Sequence, residues 1–269
     1  MKIKHFVITR FLSWGPGAGF GDKMFSKETI DFAFSMIEKY FLLSLNNQSN
    51  KNFSLIFLVH NDFDIKEIFD ERFNSLDIKM PYFVLHSSDL DEFLLNNLDN
   101  SDFLITTRMD YDDLVKSTAI DEVQNACLKH INDPLFTYGY AKGYFMTTDT
   151  NDLIYTHESP YFNERHGYFS IFMSLCINLN KIKELKIDLI NVYRLGYHHD
   201  IRKGIENFIN YYKIKINNYL YTSNDEDNYV WVRHKNSGSE FLNMNPPIKR
   251  KQIKIDNNTF KERFGYELK

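Results

Sequence analysis

The sequence predicts an α/β fold, and two features of its first 130 residues predict it. Short, apolar, β-prone runs alternate there with segments whose apolar residues recur at helical spacing, and the links between them are short. The run FSLIFLV at residues 53–59 is almost continuously apolar, as in a strand that is buried on both faces. We therefore expect a Rossmann-like, mainly parallel sheet with flanking helices.

The elements of this first half follow in a regular order. Strands are predicted over residues 5–9, 53–59, 81–85 and 103–107. Helices are predicted over residues 28–45, 65–73, 90–98 and 114–131. Because each helix returns the chain to the same edge of the sheet, the carboxyl ends of the four strands should lie together.

The second half predicts a mixed, hairpin-rich structure. Residues 134–173 are rich in Tyr, Phe, Thr and Gly, which indicates a hairpin followed by a loop. A helix is expected over 201–212, a strand over 229–232 and a short helix from Thr259. We expect one domain over residues 1–245, with halves 1–130 and 131–245, and a basic extension over 246–269.

Composition excludes several classes of protein. The net charge of −4 argues against a general nucleic-acid binder, which is usually basic. Cys127 and Cys176 lie far apart in apolar surroundings, so a disulfide framework is not supported and the cytosol fits best. The N-terminal segment is too short and too soon polar for a signal peptide. No stretch has the length of about 18 apolar residues that a membrane span needs, so membrane contact should be peripheral at most.

An acidic cluster follows the fourth predicted strand. Asp110, Asp112 and Asp113 fall within four positions of TTRMDYDD, residues 106–113. Like charges at this density are costly unless a cation lies among them, and hard divalent cations prefer oxygen ligands. The alternative is that Asp112 or Asp113, with Asp113 favoured, caps the helix predicted from Leu114 and that the other acids are solvated.

Three short patterns carry a resemblance to a known family. Residues 108–113, with the pattern R-x-D-x-D-D, resemble the DxD motif of glycosyltransferases with the GT-A fold. Thr9-Arg10-Phe11 ends the first strand, and residues 44–48 have the pattern S-L-x-x-Q before the second. Over about residues 5–130 the chain resembles a bacterial family described as putative rhamnosyltransferases.

The resemblance implies a metal-dependent glycosyltransferase. Its donor would be a nucleotide-diphosphate sugar, and its acceptor a hydroxyl on a surface glycan of the capsule or lipopolysaccharide type. The family pattern places Asp110 near the ribose and the metal and Asp112 on the metal, which would be Mn²⁺ or Mg²⁺. Thr9 and Arg10 would contact the donor. Arg108 would orient the acids or simply neutralise them, and inversion is favoured over retention.

The resemblance also implies a base that deprotonates the acceptor hydroxyl. Asp200 stands at the start of the predicted helix 201–212, where inverting GT-A enzymes commonly place this base. The same position suits an ordinary helix N-cap, so that alternative stays open. Other candidate bases are His198 and His199, which directly precede Asp200, and Glu158 and Glu164 in the predicted loop HESPYFNERHGYF.

A basic group follows the strand predicted at 229–232. The resemblance implies that His234 is a further metal ligand and that Arg233 and Lys235 hold phosphate, although an ordinary basic turn would also explain them. The glycine-rich residues 15–21 match no phosphate-loop pattern, and they suggest a lid over the site or a loop without function.

Two further functions stay open. A catalytically silent nucleotide-sugar or glycan-binding protein would share the scaffold but lack an acidic base facing the donor. A sugar nucleotidyltransferase is a weaker alternative, because the glycine-rich, lysine-bearing N-terminal signature expected there is absent. We expect a cytoplasmic protein. Its basic C-terminal residues would contact anionic lipid or a lipid-linked acceptor at the inner face of the membrane, or else be solvated.

Overall fold

The computed structural model describes residues 1–13, 25–148, 153–158, 171–196, 201–216, 219–223, 228–233 and 252–269. Within these residues the chain forms two sheets and eight α-helices.

The larger sheet has seven strands. They are β1 (Ile3–Arg10), β2 (Ser54–Val59), β3 (Tyr82–His86), β4 (Phe103–Arg108), β6 (Leu135–Tyr140), β9 (Met173–Asn178) and β10 (Leu220–Ser223). Their order is β10-β6-β9-β4-β1-β2-β3. All neighbours are parallel except β9, which runs antiparallel to both β4 and β6.

Helices cover both faces of this sheet. They are α1 (Lys27–Met36), α2 (Leu42–Asn46), α3 (Ile65–Ser75), α4 (Leu90–Asn96), α5 (Ala119–Lys129), α6 (Leu179–Leu185) and α7 (Ile201–Tyr211), whereas the eighth helix, α8 (Asn257–Phe264), packs elsewhere. A π-helical turn, Ile37–Phe41, joins α1 to α2, and a 3-10 turn, Val192–Leu195, precedes α7.

Alternation along the strands explains the layers. In β1, Val7 packs into one core with residues of α1, α3 and α5, whereas Phe6 and Ile8 pack into a second core with α4, α6 and α7. Successive side chains of a strand point to opposite faces, so each strand feeds both cores. The resulting three layers explain why the strand sequences are apolar almost throughout.

The smaller sheet has five strands. They are β5 (Leu114–Val115), β7 (Lys142–Thr147), β8 (Leu153–Glu158), β11 (Tyr229–Arg233) and β12 (Gln252–Ile253), in the order β12-β8-β7-β11-β5. Helix α8 packs against it through Phe260 and Phe264, which share a core with Met36, Tyr40 and Tyr144. Residues 252–269 therefore take part in the folded core. The domain boundary predicted at residue 245 lies outside the described residues and stays a prediction.

The predicted fold class is confirmed: the structure is α/β, with a mainly parallel central sheet and flanking helices. The predicted hairpin is also present, since β7 pairs antiparallel with β8. The prediction of one helix over 114–131 is wrong, because Leu114 and Val115 pair with β11 and the helix begins only at Ala119. Strand β9 was not predicted.

Candidate functional site

The site lies at the carboxyl ends of β1 and β4. These strands are parallel neighbours in the middle of the large sheet, with Ile8 opposite Arg108 in their register. Arg10 ends β1 and Arg108 ends β4, so the two arginines emerge at the same edge. In open parallel sheets this edge is where ligands bind.

The acidic cluster forms a turn directly after β4. The amide of Asp113 donates to the carbonyl of Asp110 over 3.3 Å. Tyr111 points inward, where its ring lies edge-on to Phe11 at 5.7 Å. Burial beside Asp112 and Asp110 raises the pKa of the Tyr111 phenol, which keeps it neutral. The inward tyrosine leaves Asp110 and Asp112 half-buried at the surface of the turn.

Asp113 is not a helix cap, so that prediction is wrong. Its side chain is 1% exposed, and its Oδ1 accepts a hydrogen bond of 3.1 Å from the amide of Val232 in β11. The helix starts six residues later, because β5 first adds to the small sheet. Burial, followed by the charges of Asp112 and Asp110, raises the pKa of Asp113 well above its ordinary value. Asp113 thus ties the acidic turn to β11.

Arg233 contributes a cationic group beside these acids. Its guanidinium lies 3.8 Å from the ring centroid of Trp231, and its pKa is lowered by burial and held up by the charges of Asp113, Asp112 and Asp110. The family resemblance implied that Arg233 holds a phosphate group of the donor, and that role stays a prediction. The structure places it where it offsets part of the negative charge that the turn concentrates.

Side chains of the S-L-x-x-Q pattern form hydrogen bonds with the backbone of the residues that follow the acidic turn. The Ser44 hydroxyl accepts a hydrogen bond of 3.1 Å from the amide of Val115. The buried Gln48 amide donates to the carbonyl of Lys116 over 2.8 Å and accepts from the amide of Ile120 over 3.1 Å. Ser44 in α2 and Gln48 just after it therefore form hydrogen bonds with backbone groups of β5, of the link that follows it and of the start of α5.

Arg108 is a buried cation with unused donors. It is 2% exposed, and its Nε and Nη2 have no hydrogen-bond partner among the described residues. The buried hydroxyl of Thr9 is in the same situation. Unsatisfied buried donors are rare in folded proteins, and those of a guanidinium match the oxygens of carboxylates and phosphates.

Tyr193 completes this edge, and the sequence did not point to it. Its hydroxyl donates to the carbonyl of Ile8 over 3.0 Å. The guanidinium carbons of Arg10 and Arg108 lie 5.5 and 5.3 Å from the centroid of its ring. Burial raises the pKa of Tyr193 to about 12, with the two arginines opposing and Asp110 assisting the rise. A lone tyrosine in VYRL carries no motif, so only the structure could identify it.

Several predicted site residues lie outside the described part of the chain. They are Asp200, His198, His199, Glu164, His234, Lys235 and the glycine-rich residues 15–21. The backbone of Glu158 belongs to β8, but its side chain is not described. Within the described residues, no group of three or more His, Cys, Asp or Glu side chains is arranged to hold a metal ion. The structure thus brings Thr9, Arg10, Arg108 and Asp110 to one edge, with Asp112 and Arg233 beside them.

A comparison with protein-family models decides the family. The model described as "Putative rhamnosyl transferase" matches residues 22–167. That stretch is more than half of the chain. The chain belongs to this family of glycosyltransferases. The family match includes Gln48, Arg108 and the acidic turn, and it ends before Tyr193 and Arg233.

Solved structures similar to this member of the rhamnosyl transferase family share little sequence with it. One is S. aureus TarS 1–349 in complex with UDP-GlcNAc, at 13% identity and a TM-score of 0.42, over 87% of this chain and 59% of that one. Another is a cytidylyltransferase from Leptospira borgpetersenii, at 16% identity and a TM-score of 0.39, over 85% of this chain and 78% of that one. The chain thus spans less than two thirds of the TarS chain that it matches.

No curated protein sequence matches the chain. Among the described helices, none has both the length and the apolar character needed to cross a bilayer.

Proposed function

We propose that this chain is a glycosyltransferase that moves a sugar from a nucleotide-diphosphate sugar to a hydroxyl of a surface glycan. The acceptor would be of the capsule or lipopolysaccharide type. Membership of the rhamnosyl transferase family supports the reaction class. The geometry of the β1–β4 edge supports the donor.

The observation that carries the proposal is the pairing of two arginines with an acidic turn at this edge. Arg10 and Arg108 offer positive charge to a diphosphate, and the buried Nε and Nη2 of Arg108 offer donors that the described residues leave unused. Asp110 and Asp112 follow Arg108 directly in the chain. A ligand that carries phosphate oxygens and a divalent cation would use both kinds of group.

The carboxylates of the turn fit a divalent cation only in part. Asp113 is committed to Val232 and lies beside Arg233, so Asp110 and Asp112 are the two carboxylates best placed for an ion. Two carboxylates suffice when substrate phosphates and water complete the coordination, as is usual for Mg²⁺. Asp110 and Asp112 would therefore hold Mn²⁺ or Mg²⁺, with His234 as a further candidate. The ion would stabilise the negative charge on the departing diphosphate.

The transfer itself would invert the sugar. The acceptor oxygen would bond to the anomeric carbon while the bond from that carbon to the diphosphate breaks. A base would take the acceptor proton, and Asp200, which directly precedes α7 in the sequence, is our candidate. Lys235 and Thr9 would contact the donor. Arg108 would hold phosphate oxygens and keep the turn oriented.

The acceptor is proposed to be a glycan that is linked to lipid. The chain would then work in the cytoplasm beside the membrane, with its basic residues beyond 245 near anionic headgroups. Residues 131–245 would form the acceptor half.

A binding screen tests the proposal. Thermal unfolding is measured with UDP, GDP, CDP and dTDP and their sugar derivatives, each with and without Mn²⁺. We expect at least one nucleoside diphosphate to raise the midpoint, and Mn²⁺ to increase the rise. If no nucleoside diphosphate raises the midpoint with or without metal, the proposal fails.

The variant Asp112→Asn separates metal binding from nucleotide binding. We expect it to lose the increment that Mn²⁺ adds while it keeps a smaller, metal-independent shift from the nucleotide. Lys142→Gln, a change at a strand start of the small sheet, serves as the control. An Asp112→Asn protein that keeps the full Mn²⁺ increment would show that the ion is held elsewhere.

A further inference from the structure

The ring of Tyr193 contacts two cations that would otherwise repel each other. The guanidinium carbons of Arg10 and Arg108 are at 5.5 and 5.3 Å from its ring centroid, which is within cation–π range. The negative face of an aromatic ring attracts guanidinium groups. One ring can thus lower the cost of keeping two positive groups close together.

The ring itself is held by several elements of the fold. Its hydroxyl bonds to the carbonyl of Ile8 in β1, and the neighbouring amide of Val192 donates to the Thr106 hydroxyl of β4 over 2.9 Å. Asn191 accepts from the amide of Tyr193 over 2.9 Å and donates to Asp91 of α4 over 2.6 Å. The turn is therefore attached to both strands of the edge and to α4.

Helix α7 adds a third support. Gly204 lies directly against the backbone of Leu195, so closely that a side chain there would collide with it. The turn 192–195 cannot move away from β4 without displacing α7 as well. Since rigid supports give a site its precise geometry, the ring is a pre-organised platform.

Arg10 and Arg108 place two positive charges beside one aromatic ring. Asp110 is close enough to affect Tyr193 electrostatically, but it is a single carboxylate and is also our candidate metal ligand. Arg108 keeps two donors unused in a buried position. Two adjacent guanidiniums match a group with several oxygens and more than one negative charge.

We propose that Tyr193 is a positioning residue whose ring holds Arg10 and Arg108 together as a two-guanidinium site for the diphosphate group of the donor. The inference rests on the proposed function for the identity of the ligand. The platform itself rests on the contacts of Tyr193, which the family match does not reach.

Binding of inorganic pyrophosphate and of nucleotides to three variants tests the inference. Tyr193→Leu removes the ring, Tyr193→Phe keeps the ring and loses only the hydroxyl, and Tyr212→Leu is the control. Tyr212 is another half-buried tyrosine, and its hydroxyl donates to Asp188 rather than to the site. Affinities are measured by calorimetry for pyrophosphate and for the best-binding nucleoside diphosphate and its monophosphate.

We expect Tyr193→Leu to weaken binding of pyrophosphate and of the diphosphate by on the order of tenfold, since two cation–π contacts are lost. The preference for diphosphate over monophosphate should fall accordingly. Tyr193→Phe, which keeps the ring but loses the bond to Ile8, should weaken binding less than Tyr193→Leu, and Tyr212→Leu should bind like the unchanged protein. A purely structural role would instead weaken all ligands alike. If Tyr193→Leu does not fold, Tyr193→Met keeps the bulk without the ring and carries the same expectation.

The outcomes separate the two proposals. If the unchanged protein binds a nucleoside diphosphate and the ringless variant binds it equally well, the inference is overturned and the proposed function stands. If the unchanged protein binds pyrophosphate in a Tyr193-dependent manner but no nucleoside diphosphate, the inference stands and the proposed function fails. If it binds neither, both fail.

Discussion

His5 should make the stability of this protein depend on pH in a way that one substitution can remove. Its imidazole is buried in β1, with Nε2 at 2.8 Å from the Thr107 hydroxyl and Nδ1 at 3.3 Å from the amide nitrogen of Gln124. That amide nitrogen also donates to the carbonyl of Asn52, and the amide oxygen accepts from Asn50. The Gln124 amide therefore cannot rotate without losing both bonds, so Nδ1 must stay an acceptor and the ring must stay neutral.

The size of the effect follows from the pKa. Burial lowers the pKa of His5 from 6.5 to about 3. Because the folded protein disfavours the imidazolium, stability is complete above pH 6.5 and falls as the pH drops from 6.5 towards 3. Each pKa unit corresponds to about 1.4 kcal/mol. The titration of His5 alone should therefore lower the free energy of unfolding by about 2 kcal/mol between pH 7 and pH 5.

The assay compares urea unfolding of the unchanged protein and of His5→Gln at pH 7 and at pH 5. Glutamine keeps a hydrogen-bonding side chain without a group that titrates in this range. The difference in unfolding free energy between the two pH values should be smaller by about 2 kcal/mol in the variant. Thr107→Val is the matched control. It removes the Nε2 partner but keeps the histidine, so it should lose stability at both pH values. An equal fall in the free energy of unfolding between pH 7 and pH 5 in His5→Gln and in the unchanged protein would refute the argument.

Three other substitutions have outcomes that the packing predicts. Gly204→Ala should lower stability by about 1–3 kcal/mol despite the better helix propensity of alanine, because the methyl group meets the Leu195 backbone; urea unfolding measures it. Gln48→Ala should cost about 2–3 kcal/mol and should reduce Mn²⁺-dependent nucleotide binding, because it removes the donor to the Lys116 carbonyl and the acceptor for Ile120. Gly265→Ala should also destabilise, since Gly265 has a φ of +75° and an added Cβ would lie 2.5 Å from the carbonyl oxygen of Leu43. An unchanged unfolding midpoint in any of the three would contradict the contact concerned.

The parts of the fold that the sequence predicted are those with strong local patterns. The four parallel strands and α3, α4 and α7 have continuous apolar runs or clear helical spacing, and the structure has them within a few residues of the predicted bounds. The helix predicted over 28–45 is present as α1, the π-helical turn and α2 in succession. Strand β9 escaped prediction because its pairing is decided by β4 and β6, which lie far away in the sequence. The start of α5 was misplaced for a similar reason, since Leu114 and Val115 suit a helix locally and become strand only through β11.

The residues of the candidate site likewise fall into two groups, those that local sequence patterns predict and those that depend on tertiary contacts. Arg10, Arg108 and the acidic turn could be predicted, because each follows an apolar strand at the end where ligands bind. The role of Asp113 could not, since its partner Val232 is distant in sequence and the choice between cap and tether depends on the tertiary fold. Tyr193 could not be predicted either, because the contact between its ring and the arginines arises only when the 192–195 turn packs on the strand ends.

The tie between Asp113 and Val232 has a consequence for how the protein is made. As the nascent chain leaves the ribosome, the acidic turn emerges more than a hundred residues before the strand that receives its buried carboxylate. Until β11 has been synthesised, β5 and β7 have unpaired edges. The Asp113 carboxylate then stays in water, because its burial would lack the hydrogen bond from Val232. The large sheet can acquire most of its strands earlier, but this turn can reach its final geometry only after β11 has been synthesised. A chain truncated before residue 229 would therefore have the acidic sequence without its geometry.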